Sequence, residues 1–188
     1  HAEYTNQSEP VRAFSREVSV RGGRIHLHLS ETKAEVAKCK EKYGETPPEF
    51  FESRGTFDNP CYAAHCVHLT ENDFEILKRR GVVPVHCPSS NMKLASGIAP
   101  AARFIKAGLR PALGTDGCAS NNNLNMFEEM HLAALLAKVG TDDATVLSAR
   151  EVLAMATANG AAAQGRTDTG VLEEGMKADI AGVSVRSP

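Results

Sequence analysis

The sequence of 188 residues has no tryptophan, and aromatic residues make up only 5% of it. It has no run of about 18 apolar residues, so we expect no membrane-spanning helix. The net charge is −2 and no basic patch stands out, which argues against a nucleic-acid partner. Hydrophobic residues (42%) and charged residues (23%) occur in the proportions typical of a soluble globular domain.

The cysteines lack the spacing of a disulfide framework. Their number is odd and no C-x-x-C pair is present, which also argues against a structural zinc knuckle. We therefore expect small, mostly buried side chains at these positions and a reducing, cytoplasmic location. The cysteines are Cys39, Cys61, Cys66, Cys87 and Cys118.

Short apolar segments alternate with segments of helical periodicity along the chain. This alternation predicts an α/β fold with a parallel sheet. The predicted strands are 24–29, 61–65, 82–86 and 109–113. The predicted helices are 8–20, 33–43, 70–81, 100–108, 124–139 and one that begins at Ser148. Residues 45–59 and 89–99 are predicted as loops, the first with one helical turn near Phe50 at most, and the tail from Gly170 as a turn and a short strand.

Ionisable and polar side chains follow each of the four predicted strands. In parallel β/α folds such positions gather at one edge of the sheet, where the carboxyl ends of the strands meet. The coincidence of four such ends is more informative than any one of them. They are His28-Leu29-Ser30-Glu31, Ala64-His65-Cys66, His86-Cys87-Pro88-Ser89-Ser90-Asn91 and Gly114-Thr115-Asp116-Gly117.

His28, His65, Asp116 and Glu31 are the residue types that a hydrolytic metal site needs. Histidine and aspartate are good zinc ligands, and a bound divalent metal lowers the pKa of water to about 7. A nearby carboxylate can then transfer protons. Each residue alone also has a structural explanation, such as a turn-capping aspartate or a solvated glutamate at a helix start. His26 shares a strand face with His28 and could pack beneath the site or join it.

Several motifs, in order, resemble the amidohydrolase superfamily: His28–Thr32, Ala64–Leu69 and Gly114–Gly117. The segments His86–Leu94 and Ala119–Asn123 narrow the resemblance to the methylthioadenosine/S-adenosylhomocysteine deaminases, which are grouped with chlorohydrolase-like enzymes. The resemblance covers nearly the whole chain. It implies a partial (β/α)8 barrel, about strands 5–8 with their helices, and metal-dependent hydrolytic deamination of an adenine-type nucleoside.

The resemblance implies a chemical role for four residues. His28 and Asp116 would bind the metal, and Asp116 would also act as general base. Glu31 would transfer protons, and His65 would orient the attacking water or the leaving amine. The implied cofactor is a divalent metal, with zinc favoured over iron, manganese and nickel.

The resemblance also implies that His1, Glu31 and Asn91 contact a small purine nucleoside substrate. The family usually has proline where this chain has Glu3, which weakens the match around His1. Family members carry two further metal ligands in a His-x-His pair on the first barrel strand, and nothing before His1 supplies that pair. Two ligands are too few for a tight zinc site, so the metal can be absent from this chain by itself.

Residues 1–169 are interpreted as the C-terminal half of the barrel, and 170–188 as the start of a return to a mostly absent β-sandwich. We expect the chain to be part of a longer protein. A half barrel leaves two sheet edges and an inner face uncovered, which predicts a homo-oligomer. Two other functions stay open: an inactive fragment or binding module with the same fold, and a deaminase or chlorohydrolase acting on guanine or triazine-type heterocycles.

Overall fold

A parallel sheet forms the centre of the computed structural model, which describes residues 1–184. Its strands are β1 (Ile25–Leu29), β2 (Cys61–His65), β3 (Val83–His86) and β4 (Ala112–Leu113). They lie side by side in chain order, β1-β2-β3-β4, and every neighbouring pair is parallel. The predicted α/β fold and parallel sheet are confirmed.

Helices connect the strands and cover one face of the sheet. In the described residues they are α1 (Ser8–Val20), α2 (Lys33–Tyr43), α3 (Pro47–Ser53), α4 (Glu71–Arg80), α5 (Pro88–Lys93), α6 (Ala101–Lys106), α7 (Cys118–Asn121), α8 (Met126–Thr141), α9 (Ala149–Ala156) and α10 (Ala158–Ala163). Two 3-10 turns lie at Glu3–Thr5 and Thr56–Asp58. Among the helices of residues 1–184, not one combines the length and the apolar composition that crossing a membrane requires.

Capping residues decide where the connecting helices begin and end. The Thr70 side chain accepts the Asp73 backbone N–H, and the Asp73 carboxylate accepts the Thr70 N–H, which satisfies two otherwise unpaired donors at the start of α4. The same helix ends at Gly81, whose φ of 64° lies in the left-handed region that glycine adopts without strain. Ser148 and Glu151 form the predicted capping box of α9.

Two segments predicted as loops contain helices, so those predictions were wrong. Helix α3 lies within 45–59 because Thr46 and Glu49 form a capping box and Pro47 occupies the first turn, where its missing N–H costs nothing. Helix α5 (Pro88–Lys93) overlaps the first part of 89–99 and begins with Pro88, whose missing N–H likewise costs nothing in the first turn.

Two strand predictions also fail in extent. Strand β4 has two residues instead of five, and Pro111 immediately before it has no N–H to donate to a ladder. The tail forms no strand in residues 170–184, where the side chains are mostly exposed and find no neighbouring strand. Residues 185–188 of the predicted tail lie outside the described residues.

The largest buried cluster packs between the sheet and helices α1–α4 and α6. Its largest fully buried side chains are Leu29, Phe50, Ile76, Leu77 and Phe104, each at most 1% exposed. Burying one such side chain stabilises the fold by roughly 1.5–3 kcal/mol. A second cluster joins β4 to α8 and α9 through Leu113, Ala133, Ala137, Val152 and Met155.

Helix α8 buries a face of small residues. The helical spacing of its large apolar residues is real, but Phe127, Leu135 and Val139 are 57%, 48% and 72% exposed. Ala133 and Ala137 face the core instead, because small side chains let the helix lie close to its neighbours.

Alternation along β1 separates the core from the site. Ile25, Leu27 and Leu29 point into the buried cluster, whereas His26 and His28 lie on the opposite face. That opposite face corresponds to the interior of a barrel. The fold therefore places ionisable side chains on an open surface whose back is well packed.

Candidate metal and catalytic site

Three predicted site residues converge at the carboxyl edge of the sheet. His28 comes from β1, His65 from the end of β2, and Asp116 follows β4. One ligand atom of each lies within 4.8 Å of the others. Metal ligands bind at about 2.0–2.2 Å, so the three atoms lie within the range that one ion and small side-chain adjustments can span.

The backbone at these strand ends adopts conformations that are costly for residues with a side chain. Ser30, His65, Cys66 and Asp116 have φ values of 49°, 75°, 49° and 61°. Such left-handed residues cost of order 1–3 kcal/mol each and persist where the surrounding structure fixes them. Their clustering after three strands indicates a functional edge of the sheet.

His65 is held in one ring orientation. It is 1% exposed, and its Nδ1 lies 2.8 Å from Oδ1 of Asn91, which is itself fully buried on α5. With Nδ1 donating to Asn91, the neutral ring presents its Nε2 lone pair to the site. Glu31 Oε2 lies 3.6 Å from that Nε2.

Asp116 carries its charge readily in this position. Burial acts to raise the pKa of its carboxyl group, but hydrogen bonds from Ser90 Oγ at 2.6 Å and from the Gly117 N–H at 2.7 Å outweigh burial and leave the pKa below its usual range. An ionised carboxylate is the form that binds a metal.

His28 is suited to be a neutral ligand. Burial lowers the pKa of its imidazole, and the neighbouring His65 lowers it further. Its Nδ1 is buried and has no hydrogen-bond partner among the described residues, and its ring lies 5.5 Å from that of His65. A neutral histidine with a buried, unpaired nitrogen beside an ionised aspartate fits a divalent metal.

Glu31 is fixed at both its side chain and its backbone. Ser96 Oγ donates to Glu31 Oε1 at 2.9 Å, and the Glu31 N–H donates to the Glu35 carboxylate at 2.7 Å. Gly97 allows the Ser96 loop to come this close, because at its φ of 125° a Cβ atom would lie 3.0 Å from Val67 Cγ1.

The remaining predicted residues lie around this group. His1 is exposed, its ring centroid is 5.2 Å from that of His28, and its carbonyl accepts the His28 N–H at 3.0 Å. His26 stacks on Tyr62 at 4.6 Å and does not join the ligand cluster found within residues 1–184. Asn91 contacts His65 from behind, so its role as a substrate contact stays a prediction.

Sequence reasoning missed the residues that support the site. Ser90 holds Asp116, Ser96 holds Glu31, and Glu129 lies buried behind the Asp116 loop, where Asn121 Nδ2 and the Ser89 N–H donate to it. Only the Thr32-x-x-Glu35 capping spacing was visible as a local signal. The others depend on contacts across the fold. Four cysteines are buried as predicted, and Cys118 is exposed.

Residues 1–186 match the amidohydrolase family, and the chain belongs to this family. It is 49% identical over 188 residues to a 5-methylthioadenosine/S-adenosylhomocysteine deaminase of Pelotomaculum thermopropionicum, and 48% identical to a 5'-deoxyadenosine deaminase of Methanosarcina acetivorans. Each alignment covers 100% of this chain and 43% of the relative. The chain thus spans less than half the length of these relatives.

Solved structures share the fold. An adenosine deaminase from Xanthomonas campestris with bound zinc superposes with a TM-score of 0.90 at 42% identity, covering 94% of this chain and 40% of that one. The zinc complex of the atrazine chlorohydrolase TrzN from Arthrobacter aurescens TC1 gives 0.84 at 31% identity, covering 92% and 38%. The resemblance inferred from the motifs is confirmed, and zinc occurs in related proteins of this fold.

Proposed function

We propose that this chain forms part of a metal-dependent hydrolase that deaminates an adenine-type nucleoside, with methylthioadenosine, S-adenosylhomocysteine and 5'-deoxyadenosine as candidate substrates. The observation that carries the proposal is the convergence of His28, His65 and Asp116 beside Glu31. The relatives named as deaminases of these nucleosides support the substrate class.

His28 and Asp116 would hold the metal, and His65 lies beside them, with one ring nitrogen within 4.8 Å of their ligand atoms. When bound there, a divalent metal such as zinc lowers the pKa of a water molecule to about 7 and so supplies the nucleophile. The Asp116 carboxylate, held by Ser90, is placed to accept a proton from the attacking water. Iron, manganese and nickel accept the same donor set.

Glu31 and His65 would serve the purine. Glu31, fixed by Ser96, is placed to give a proton to the ring nitrogen next to the reacting carbon. The proton that Asp116 accepted from water would pass to the exocyclic amine, which leaves as ammonia, and the remaining proton of the added hydroxyl group would return to Glu31. His65, oriented by Asn91, hydrogen-bonds the attacking water through Nε2. His1 lies on the open side of the His28 ring, where it can contact the sugar.

The test is a deamination assay on the protein that contains this chain. Conversion of adenine to hypoxanthine is followed by absorbance with methylthioadenosine, S-adenosylhomocysteine and 5'-deoxyadenosine, and with guanine and a chlorotriazine for comparison. Turnover of the adenosines that Glu31→Gln abolishes would support the proposal. Faster turnover of guanine or the triazine would indicate a different substrate class. If the protein bound zinc but turned over none of these compounds, a binding module would be favoured.

Three further expectations belong to this proposal. Residues 1–169 act as the C-terminal half of a barrel, with the tail returning to a second domain. The chain by itself self-associates, because β1 has no neighbouring strand on its outer edge among the described residues, and His26 on this strand is exposed. Five free thiols fit a reducing cytoplasm. Light scattering at micromolar concentration tests the second expectation, and a monomer would contradict it.

A further inference from the structure

Glu3 is a buried acid in an unusual setting. It is 1% exposed, and neither of its carboxyl oxygens receives a hydrogen bond from the described residues. A buried carboxylate without partners is strongly disfavoured, so the group must either be protonated or find a donor. The 3-10 turn that contains Glu3 packs on α2 and α3.

Glu35 is the group that Glu3 faces. The turn that contains Glu3 packs against α2, whose first turn carries Glu35, and Glu35 raises the pKa of Glu3 both through its charge and through a hydrogen bond between the two side chains. Glu35 already accepts the backbone N–H groups of Ser30, Glu31 and Thr32, at 2.8, 2.7 and 3.2 Å. Three such donors stabilise the charged form of Glu35. Two ionised carboxylates at this range would repel each other, so Glu3 is the member that carries the proton.

We propose that Glu3 and Glu35 share one proton and act as a positioning pair, which fastens the segment after His1 to the turn that carries Glu31. The Glu3 O–H donates to the Glu35 carboxylate, and that carboxylate holds the turn through its three backbone donors. The pair thereby joins two segments that both face the site. Its effect on Glu31 during catalysis rests on the proposed function, whereas the pair itself does not.

The charges around the pair favour this arrangement. Burial, followed by the charge of Glu35, raises the pKa of Glu3 to about 8. Burial also raises the pKa of Glu35, although the backbone donors act against it. The other ionisable groups nearby are Tyr4 on the same turn, Glu31, Cys39 on α2, Glu45, and Arg54 directly after α3, which is paired with Glu45.

Carbon-13 NMR of the glutamate-labelled chain tests the proposal without any assay of activity. One side-chain carboxyl resonance should titrate near pH 8, several units above the exposed glutamates, and the amide signals of Ser30, Glu31 and Thr32 should shift with it. The anomalous resonance should vanish in Glu3→Gln and remain in Glu9→Gln, a control in the first turn of α1 where the side chain is exposed.

Two substitutions separate positioning from simple packing. Glu3→Gln keeps the shape and supplies an N–H donor to Glu35, so the amide shifts of the turn should stay close to those of the wild-type protein at pH 6. Glu3→Ala removes the donor and should move them. The proposed pair would be overturned if every glutamate titrated in the ordinary range, or if the amide signals of Ser30, Glu31 and Thr32 did not change as Glu3 titrates. This holds even if deamination is found. If the wild-type protein showed the anomalous titration of Glu3 but no deamination, only the proposed function would be overturned.

Discussion

The contact between Asn91 and His65 gives the sharpest test of the metal site. Asn91→Leu keeps the number of side-chain heavy atoms and the branching at Cγ, and removes the oxygen that accepts from His65 Nδ1 at 2.8 Å. Both residues are at most 1% exposed, so water cannot replace the lost acceptor without entering the core. The ring then loses the contact that fixes its orientation beside His28 and Asp116.

The size of the effect follows from the buried hydrogen bond. Leaving one buried donor unsatisfied costs about 1–3 kcal/mol. Each 1.4 kcal/mol corresponds to a factor of ten, and loss of a contact that supports the residues of a metal site typically costs 10–100-fold in affinity. We therefore expect zinc affinity to fall by roughly 10–100-fold in Asn91→Leu.

Calorimetric titration with zinc in a competing chelator measures this change, with thermal unfolding as a check on the fold. Asn72→Leu is the matched control, because the Asn72 side chain is exposed and donates to Glu49 Oε1 on the surface at 2.7 Å. Asn91→Asp should restore most of the affinity, since its carboxylate again accepts from His65. Unchanged affinity in a folded Asn91→Leu protein would refute the reasoning, as would an equal loss in Asn72→Leu.

Three other outcomes are expected. Ser96→Ala should lower deamination about tenfold without changing zinc content, because it frees Glu31 Oε1; equal loss of zinc by elemental analysis would contradict this. The pKa of Glu3 in the folded protein is raised from 4.5 to about 8, so the contribution of Glu3 to the free energy of unfolding is complete below pH 4.5 and is lost as pH rises to about 8. The loss is at most about 1.4 kcal/mol per pH unit. Urea unfolding from pH 5 to 8 should show this slope, and Glu3→Gln should flatten it. Phe104→Ala should lower the free energy of unfolding by about 3–5 kcal/mol and exposed Phe127→Ala by less than about 0.5 kcal/mol; similar values by urea unfolding would show that the core is placed wrongly.

Local sequence signals were sufficient to predict helices whose hydrogen bonds join residues close together in the chain. Helix α2 was predicted over its observed range, because its helix-forming residues and the closing Gly44 act within a few residues of one another. Helix α3 carried the same kind of signal in Thr46 and Glu49, and the two prolines concealed it. Strand β4 was overpredicted, because apolar character alone does not show whether a partner backbone is within reach.

The residues of the candidate site also divide into those that local sequence signals predict and those that depend on long-range contacts. His28, His65 and Asp116 could be predicted because each lies within three residues of the carboxyl end of a strand, and parallel strands end together. Ser90 and Ser96 could not be predicted, because each bonds a side chain 26 or 65 residues away in the sequence. Only the packed fold brings such pairs into contact. Glu3 and Glu35 likewise gave no signal as a pair.

Helix α5 contacts side chains on both sides of the site. Two consecutive residues, Ser90 and Asn91, hold side chains from the ends of two strands that are not neighbours, with β3 between them. Those strands lie about 9–10 Å apart. Adding or deleting one residue within Pro88–Lys93 would turn the rest of the helix by about 100° and release at least one of the two contacts. Across related sequences, this stretch should therefore vary in composition far more freely than in length.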